Sequence, residues 1–222
     1  MKQQIITTAD GSKTIYLPEW NESYHSQHGA ILEAKHVYIQ AGLDFRFKNH
    51  SDKALNILEI GFGTGLNAFL SSIYAKQNLI RLNYQAIEKF PLSDQVINDI
   101  DYAQALKADI DDFKKLHEIE WERSIEINRF FKLKKLKADL ITFKSQNQFD
   151  IVYFDAFGPR VQPELWAKPI LEKLYNMMSE NGVWVTYSCK GSVRRDLQSI
   201  GFEVEKISGP PGKRDMLRAF KS

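Results

Sequence analysis

Apolar residues along this chain fall into short runs and helical repeats that alternate, the order expected of a sheet layered with helices. The strongest unit spans residues 55–77. Residues 55–60 form an apolar run broken only by Asn56 and Glu59, which suits a strand buried in a parallel sheet. Gly61, Gly63 and Gly65 then turn the chain. Leu66, Ala68, Phe69, Leu70 and Ile73 follow at helical spacing, to about residue 77. Ligands in open α/β sheets sit beyond the carboxyl ends of such strands, so this turn is the first candidate site.

The flanking segments carry weaker patterns. Residues 5–17 read as a hairpin around Asp10-Gly11, a two-residue turn signal. Residues 18–30 are polar, aromatic and aperiodic, which predicts a loop draped over another part of the chain. A helix is expected over 30–41, stopped by Gly42. Residues 82–88 read as the second strand and 94–123 as a charged helical insertion. Residues 124–138 alternate apolar side chains with lysines, which predicts a half-exposed third strand at the sheet edge, its lysines a solvated face. A fourth strand over 149–155 ends at Asp155, where Ala156-Phe157-Gly158-Pro159 breaks it. A helix to about residue 178 follows, and Asn181-Gly182 then turns the chain into a fifth strand over 183–187. A helix begins near Val193, a sixth strand covers 201–207, and a loop over 209–214 leads to a closing strand over 215–220. The order implies an α/β fold with a mostly parallel sheet.

Composition narrows the class. With 43% hydrophobic and 26% charged residues and a net charge of +2, the 222-residue chain reads as globular and neither demands nor excludes a nucleic-acid partner. No apolar stretch is long enough to span a membrane, and the first residues lack the apolar core of a signal peptide, so a cytoplasmic protein is expected. The single cysteine, Cys189, rules out an intrachain disulfide and gives no basis for a Cys-based zinc site. His25 and His28 stand in the aperiodic loop without a cluster of acids, so no metal is expected.

The glycine turn carries the chemistry. In the dinucleotide fingerprint G-x-G-x-x-G the third glycine packs the helix on the strand, and Leu66 occupies that place here. The spacing is E-x-G-x-G-x-G, with the acid at Glu59. It resembles the first motif of S-adenosylmethionine (SAM) methyltransferases; a dinucleotide site and a turn without a ligand are the alternatives. Glu88 ends the second strand about 20 residues further on, where an acid can accept both hydrogen bonds of a ribose diol. Asp155, at the end of the neighbouring fourth strand, projects toward the same crevice. The resemblance to methyltransferases implies a mostly parallel seven-stranded sheet whose last strand is antiparallel; that would bring the loop before it, and the exit loop of the fifth strand, to that edge. Lys190, Arg194, Arg195, Lys213 and Arg214 should then gather on one rim, a pattern that suits a phosphate-bearing substrate.

Longer stretches resemble one family. Gly61-Phe62-Gly63-Thr64-Gly65-Leu66-Asn67, Glu88-Lys89-Phe90-Pro91-Leu92, Asp155-Ala156-Phe157-Gly158-Pro159 and Pro163-Glu164-Leu165-Trp166 occur in order. Gly191-Ser192-Val193-Arg194-Arg195 and Gly212-Lys213-Arg214-Asp215-Met216 follow. Together they resemble the methyltransferase part of the bacterial MnmC enzymes, found alone as MnmD. The resemblance implies a Rossmann-like SAM-dependent methyltransferase fold filling residues 1–222, with an N-terminal hairpin, loop and helix over 1–50. It also implies SAM-dependent methylation of the primary amine of 5-aminomethyl-(2-thio)uridine at the wobble position of tRNA. The fused enzymes add an FAD oxidase domain. No flavin fingerprint occurs here, so methyl transfer alone is expected, after a separate enzyme has supplied the aminomethyl group. Asp215 stands where the family often has Glu.

The resemblance assigns roles to residues. Asp155 becomes the catalytic candidate, orienting the amine or taking its proton; a contact to SAM or loop backbone alone is the alternative. Gly61, Gly63 and Gly65 would meet the methionine moiety, Glu88 the ribose and Asp139 the adenine. Tyr24 and Gln27 would cover the cofactor, with Glu59, Asn67 and Lys89 completing its surroundings. Phe157, Lys190, Arg194, Arg195, Lys213 and Arg214 would bind the tRNA around its anticodon. Two rival readings are a methyltransferase for a small molecule or protein, and a non-catalytic SAM-fold protein that binds RNA.

Overall fold

The computed structural model describes residues 2–50 and 54–221. Met1 and Ser222, the ends of the expected 1–222 domain, lie outside the described residues. β1 (Gln4–Thr7), β2 (Lys13–Leu17) and β3 (Glu22–Ser23) form a small antiparallel sheet. Its first turn is wider than Asp10-Gly11 alone: Thr7 pairs with Lys13, so residues 8–12 make the loop. The Asp10 carboxylate closes that loop, accepting from Thr8 Oγ1 at 2.7 Å and the Ser12 N–H at 3.1 Å. It also accepts from the Leu32 N–H at 3.0 Å, tying the hairpin to the next helix.

That helix departs from expectation. α1 (Ala30–Ala34) runs into a π-helical stretch, Lys35–Asp44, and on into α2 (Phe45–Asn49). Gly42 does not stop it. A Cβ at 42 would stand 3.1 Å from Val185 Cγ2 and 3.2 Å from Tyr153 Cε1, so the glycine lets the helix press onto the sheet.

The second, larger sheet contains β4 (Ala54–Ile60), β5 (Arg81–Glu88), β6 (Ser124–Asn128), β7 (Phe131–Lys137), β8 (Phe149–Phe154), β9 (Met178–Thr186), β10 (Phe202–Ser208) and β11 (Asp215–Lys221). Their order is β10-β11-β9-β8-β4-β5-β7-β6. β4 pairs in parallel with β5 and β8, and β7 and β9 extend the parallel region on either side. β11 is antiparallel to both β9 and β10, as the resemblance to methyltransferases implies for the last strand. The sheet has eight strands, one more than expected, because residues 124–138 fold as a hairpin in which β6 takes the edge and β7 lies inside. The lysines of β7 divide accordingly. Lys132 and Lys137 are exposed, whereas Lys135 is buried. Its ammonium donates to the His117 carbonyl at 2.6 Å and lies 4.9 Å from the centroid of Trp121. Burial lowers its pKa to about 8. Asn181-Gly182 is not a turn ahead of β9 but an irregularity within it, where pairing with β8 slips between Phe149 and Ile151.

Helices cover both faces. α3 (Leu66–Asn78), the helix over 30–49 and the connecting helices α4 (Asp94–Asn98), α5 (Tyr102–Leu106) and α6 (Ile110–Glu118) share one core with Leu55, Ile57, Tyr84, Leu133 and Tyr153. α7 (Lys168–Asn176) and α8 (Gly191–Ile200) pack on the other face against Leu58, Ile60, Val152, Phe154 and Trp184. Alternate residues of β4 and β8 enter different cores, so both strands are buried on both sides and their carboxyl ends are fixed.

Candidate active site

Between the ends of β4, β5 and β8 lies a cavity of about 790 Å³, within the usual range for a small-molecule site. The chain crosses its floor at Gly61, with φ of 89° and its N–H bonded to the Ile87 carbonyl at 2.9 Å. A side chain there is blocked, since a Cβ would stand 2.8 Å from the Asp155 carbonyl oxygen. At Gly63 a Cβ would stand 3.1 Å from Cδ1 of Tyr24, which lies over the turn from the N-terminal loop. The glycines thus keep backbone open to a ligand that enters between turn and aromatic wall.

Each side of the turn carries an acid. The Glu88 carboxylate accepts from the Gly63 N–H at 3.0 Å and from the Phe90 N–H at 2.8 Å, one bond per oxygen. A carboxylate has about four acceptor positions, so capacity for a diol is left. On the other side Asp155 is half-buried. One oxygen accepts from Tyr38 Oη at 2.5 Å and the other from Asn67 Nδ2 at 2.8 Å. Burial pushes Asp155 up to about 7, against these two bonds, which favour the carboxylate. Tyr24, Phe157 and Trp20 form an aromatic wall, with ring centroids 5.1 Å (Tyr24–Phe157) and 5.4 Å (Trp20–Phe157) apart. Phe157 is held from both ends: its N–H donates to Gln162 Oε1 at 3.0 Å and its carbonyl accepts from Trp166 Nε1 at 2.8 Å.

The structure sorts the residues singled out from sequence. Tyr24, Gly61, Gly63, Asn67, Glu88, Lys89, Asp139, Asp155, Phe157 and Lys213 line the cavity. Lys89 and Asp139 pair at 2.8 Å, and this bond, with the Ile141 N–H, holds the Asp139 carboxyl below its ordinary range. Glu59 is placed elsewhere: it is 0% exposed and sits behind the turn. Gly65 is buried too, with the His117 ring packed against its Cα side. Gln27 is exposed and outside the lining. The expected basic rim is not gathered at the cavity. Lys190, Arg194, Arg195 and Arg214 are exposed but none lines it, because α8 carries its arginines on its solvent face while Val193 and Leu197 face the core. Lys213 reaches inside, where it donates to Glu33 at 2.7 Å and lies 4.0 Å from the Tyr187 ring centroid.

Sequence reasoning missed Tyr38, Glu33, Tyr187, Trp20 and Gln162. Glu33 left one signal, an acid among Ala30, Ile31 and Ala34 on the buried side of α1. Tyr38 left none, because the π-helical stretch alters the spacing by which helix faces are read.

A sequence profile described as "S-adenosyl-L-methionine-dependent methyltransferase" matches residues 99–222. The chain belongs to this methyltransferase family. It is 30% identical over 215 residues to the tRNA 5-methylaminomethyl-2-thiouridine biosynthesis bifunctional protein MnmC of Methylobacillus flagellatus, covering 91% of this chain and 33% of that protein. The protein of the same name from Aeromonas hydrophila is 28% identical over 219 residues, with 90% and 32% covered. The chain therefore spans about a third of the length of these curated relatives. A crystal structure of MnmC2 from Aquifex aeolicus superposes with a TM-score of 0.77 and 28% identity, covering 98% of this chain and 70% of that one. The methyltransferase cofactor is SAM, and the residues present suit it. The glycine cradle excludes side chains, Glu88 keeps acceptor positions free, and Phe90 and Ile141 offer exposed apolar surface along the same wall. Among the described residues no helix is long and apolar enough to cross a membrane.

Proposed function

We propose that this protein methylates the primary amine of 5-aminomethyl-(2-thio)uridine at the wobble position of tRNA, in the cytoplasm, after a separate enzyme has supplied the aminomethyl group. The observation that carries the reading is Asp155. It is a half-buried carboxyl pushed up to about 7, beside the glycine turn and an aromatic wall. The names of the MnmC relatives support tRNA as the substrate class.

In this reading Gly61 and Gly63 present backbone to the methionine moiety, Glu88 would hold the ribose, and Asp139 lies on the adenine side. When bound, SAM supplies an electrophilic methyl group and departs as a neutral thioether. The amine must reach it uncharged, because an ammonium has no lone pair. Asp155 as carboxylate accepts an N–H of the amine and aims the lone pair; position alone supplies much of the acceleration. Forming the N–C bond leaves a proton to be lost from nitrogen, and a carboxylate poised near neutrality can take it and return it to water. Tyr24, Phe157 and Trp20 give an unstacked uracil an aromatic surface.

The test is labelled methyl transfer from SAM to undermodified tRNA and, in parallel, to the free aminomethyl nucleoside. The proposal expects strong labelling of tRNA and little of the nucleoside. Equal labelling of both would favour a small-molecule methyltransferase.

A further inference from the structure

At the end of the cavity away from Glu88 lies an ion pair that the mechanism above does not use. Among the described residues two lysines and no arginine line the cavity. Lys89 is paired with Asp139 on the cofactor side. Lys213 lies two residues before β11, and β9, β8 and β4 stand between that strand and β5, which ends at Glu88. Its backbone is fixed. The Lys213 N–H donates to the Pro210 carbonyl at 2.9 Å, and Gly212, with φ of 84°, packs so closely on His28 that a Cβ there would collide with the ring. Its side chain is held too. The ammonium donates to Glu33 Oε1 at 2.7 Å, while the other Glu33 oxygen accepts from the Ser26 N–H at 2.6 Å. The Tyr187 ring centroid lies 4.0 Å from the ammonium, and the Tyr187 hydroxyl is anchored on the Ala156 carbonyl at 2.9 Å. Glu33 is 6% exposed, whereas the Lys213 side chain keeps 33%. An ammonium has three N–H donors and Glu33 takes one, so Lys213 keeps donors for a ligand.

The charge balance points to the acceptor. Glu33 and Lys213 pull on Asp155 with opposite sign, so the three groups share one end of the cavity. Two carboxyls there outnumber one ammonium, a poor balance for a phosphate and a good one for an amine beside a neutral carbonyl. In 5-aminomethyluracil the C4 carbonyl adjoins the carbon that carries the aminomethyl group. An amine held by Asp155 therefore brings that oxygen to the same end of the cavity. We propose that Lys213, aimed by Glu33, donates a hydrogen bond to the C4 carbonyl oxygen of the base and so selects uracil over cytosine. Cytosine carries an amino group at C4, which sets donor against donor and leaves the ammonium unpaired. Lys213 is thus a specificity residue and Glu33 a positioning residue. The proposal rests on the aminomethyl-uracil substrate proposed above.

The test uses two anticodon stem-loop RNAs, identical except for 5-aminomethyluridine or 5-aminomethylcytidine at the wobble position, and reads kcat/KM for methyl transfer from SAM. The unaltered protein should prefer the uridine RNA by about 10²-fold or more. Lys213→Met should lower kcat/KM on the uridine RNA roughly 10- to 100-fold, the scale of one hydrogen bond from a charged donor, and leave the cytidine RNA unchanged. Lys213→Gln, whose amide can also accept, should raise the cytidine RNA relative to the uridine RNA. Glu33→Gln keeps an oxygen for the Ser26 N–H but drops the charge that holds the ammonium, so its preference should fall between those of the unaltered protein and Lys213→Met. Comparing ratios between proteins cancels the intrinsic reactivity of each amine and any general loss of structure. SAM affinity should be unchanged in all three variants. An unchanged ratio in the Lys213 variants overturns the proposal; if the slope of log affinity against log salt also flattens by roughly one unit, Lys213 is a phosphate contact instead. If Lys213→Met does not fold, the preference of the unaltered protein and Lys213→Gln still decide. Equal transfer to both RNAs by the unaltered protein overturns this proposal alone, whereas no transfer to either overturns the proposed function with it.

Discussion

Asp155 and Glu88 end the two strands that flank β4, and both line one cavity, yet they are held in opposite ways. Glu88 takes its hydrogen bonds from backbone N–H groups, which cannot rotate away and which leave acceptor positions free. Asp155 takes its bonds from two side chains, and burial raises its pKa to about 7. Two carboxyls on one crevice thus acquire different work from their surroundings: one suits a fixed polar ligand, the other suits an exchangeable proton. The predictions below probe that division.

The largest effect should come from the turn that separates the two acids. Gly61→Ala meets both a positive φ and a Cβ 2.8 Å from the Asp155 carbonyl oxygen. Backbone strain alone costs roughly 1–3 kcal/mol, and the clash adds to it. SAM binding and methyl transfer should both be lost, by isothermal titration and single-turnover assay, with a lowered Tm. Unchanged SAM affinity would mean that the turn is not the cofactor cradle.

Next comes the side-chain hold on Asp155. Tyr38→Phe removes a donor to the carboxylate and so favours the neutral acid. The limb of kcat/KM that rises through about pH 7 should move upward by roughly 1–2 pH units, the equivalent of about 1.5–3 kcal/mol for a bond to a charged group. Stability responds with a definite sign. The folded pKa of Asp155 lies above its unfolded value, so stability is greatest below the unfolded pKa and falls as pH rises toward 7. Asp155→Asn should therefore raise Tm more at pH 8 than at pH 4; equal shifts would show that Asp155 folds without a titration penalty.

The smallest effect should be at the loop before β11, where neighbours differ. Lys213 is tied to Glu33 inside the cavity, whereas Arg214 is 93% exposed at its side chain and meets Asp215 only at 3.8 Å. Arg214→Ala should reduce the slope of log tRNA affinity against log salt by roughly one unit and leave SAM affinity intact. An unchanged slope removes Arg214 from the RNA footprint.

The same contrast explains what the sequence revealed. The strand, glycine turn and helix, Glu88, Asp155 and the closing strand were legible because each is encoded within a few adjacent residues; the antiparallel direction of that strand followed from the family resemblance. Tyr38 on Asp155 and Glu33 on Lys213 were not, because those pairs join positions 117 and 180 residues apart. Gly42 was misread because a glycine that ends a helix and one that lets it touch a sheet look alike in one dimension. Lys135 was misread because aromatic rings and one carbonyl replace its water. The edge strand β6 was missed because Ser124–Asn128 is short and mixed in polarity.

The most direct test of the division between the two acids measures two quantities on two variants: SAM dissociation constant and single-turnover methyl transfer to undermodified tRNA at saturating SAM. Glu88→Ala should weaken SAM by about 1–3 kcal/mol, roughly 5- to 150-fold, and recover much of its rate when SAM saturates. Asp155→Asn should bind SAM nearly as the wild type does and lose about 10²-fold or more in rate. Proportional losses of affinity and rate in Asp155→Asn would contradict the account and make Asp155 a cofactor contact like Glu88.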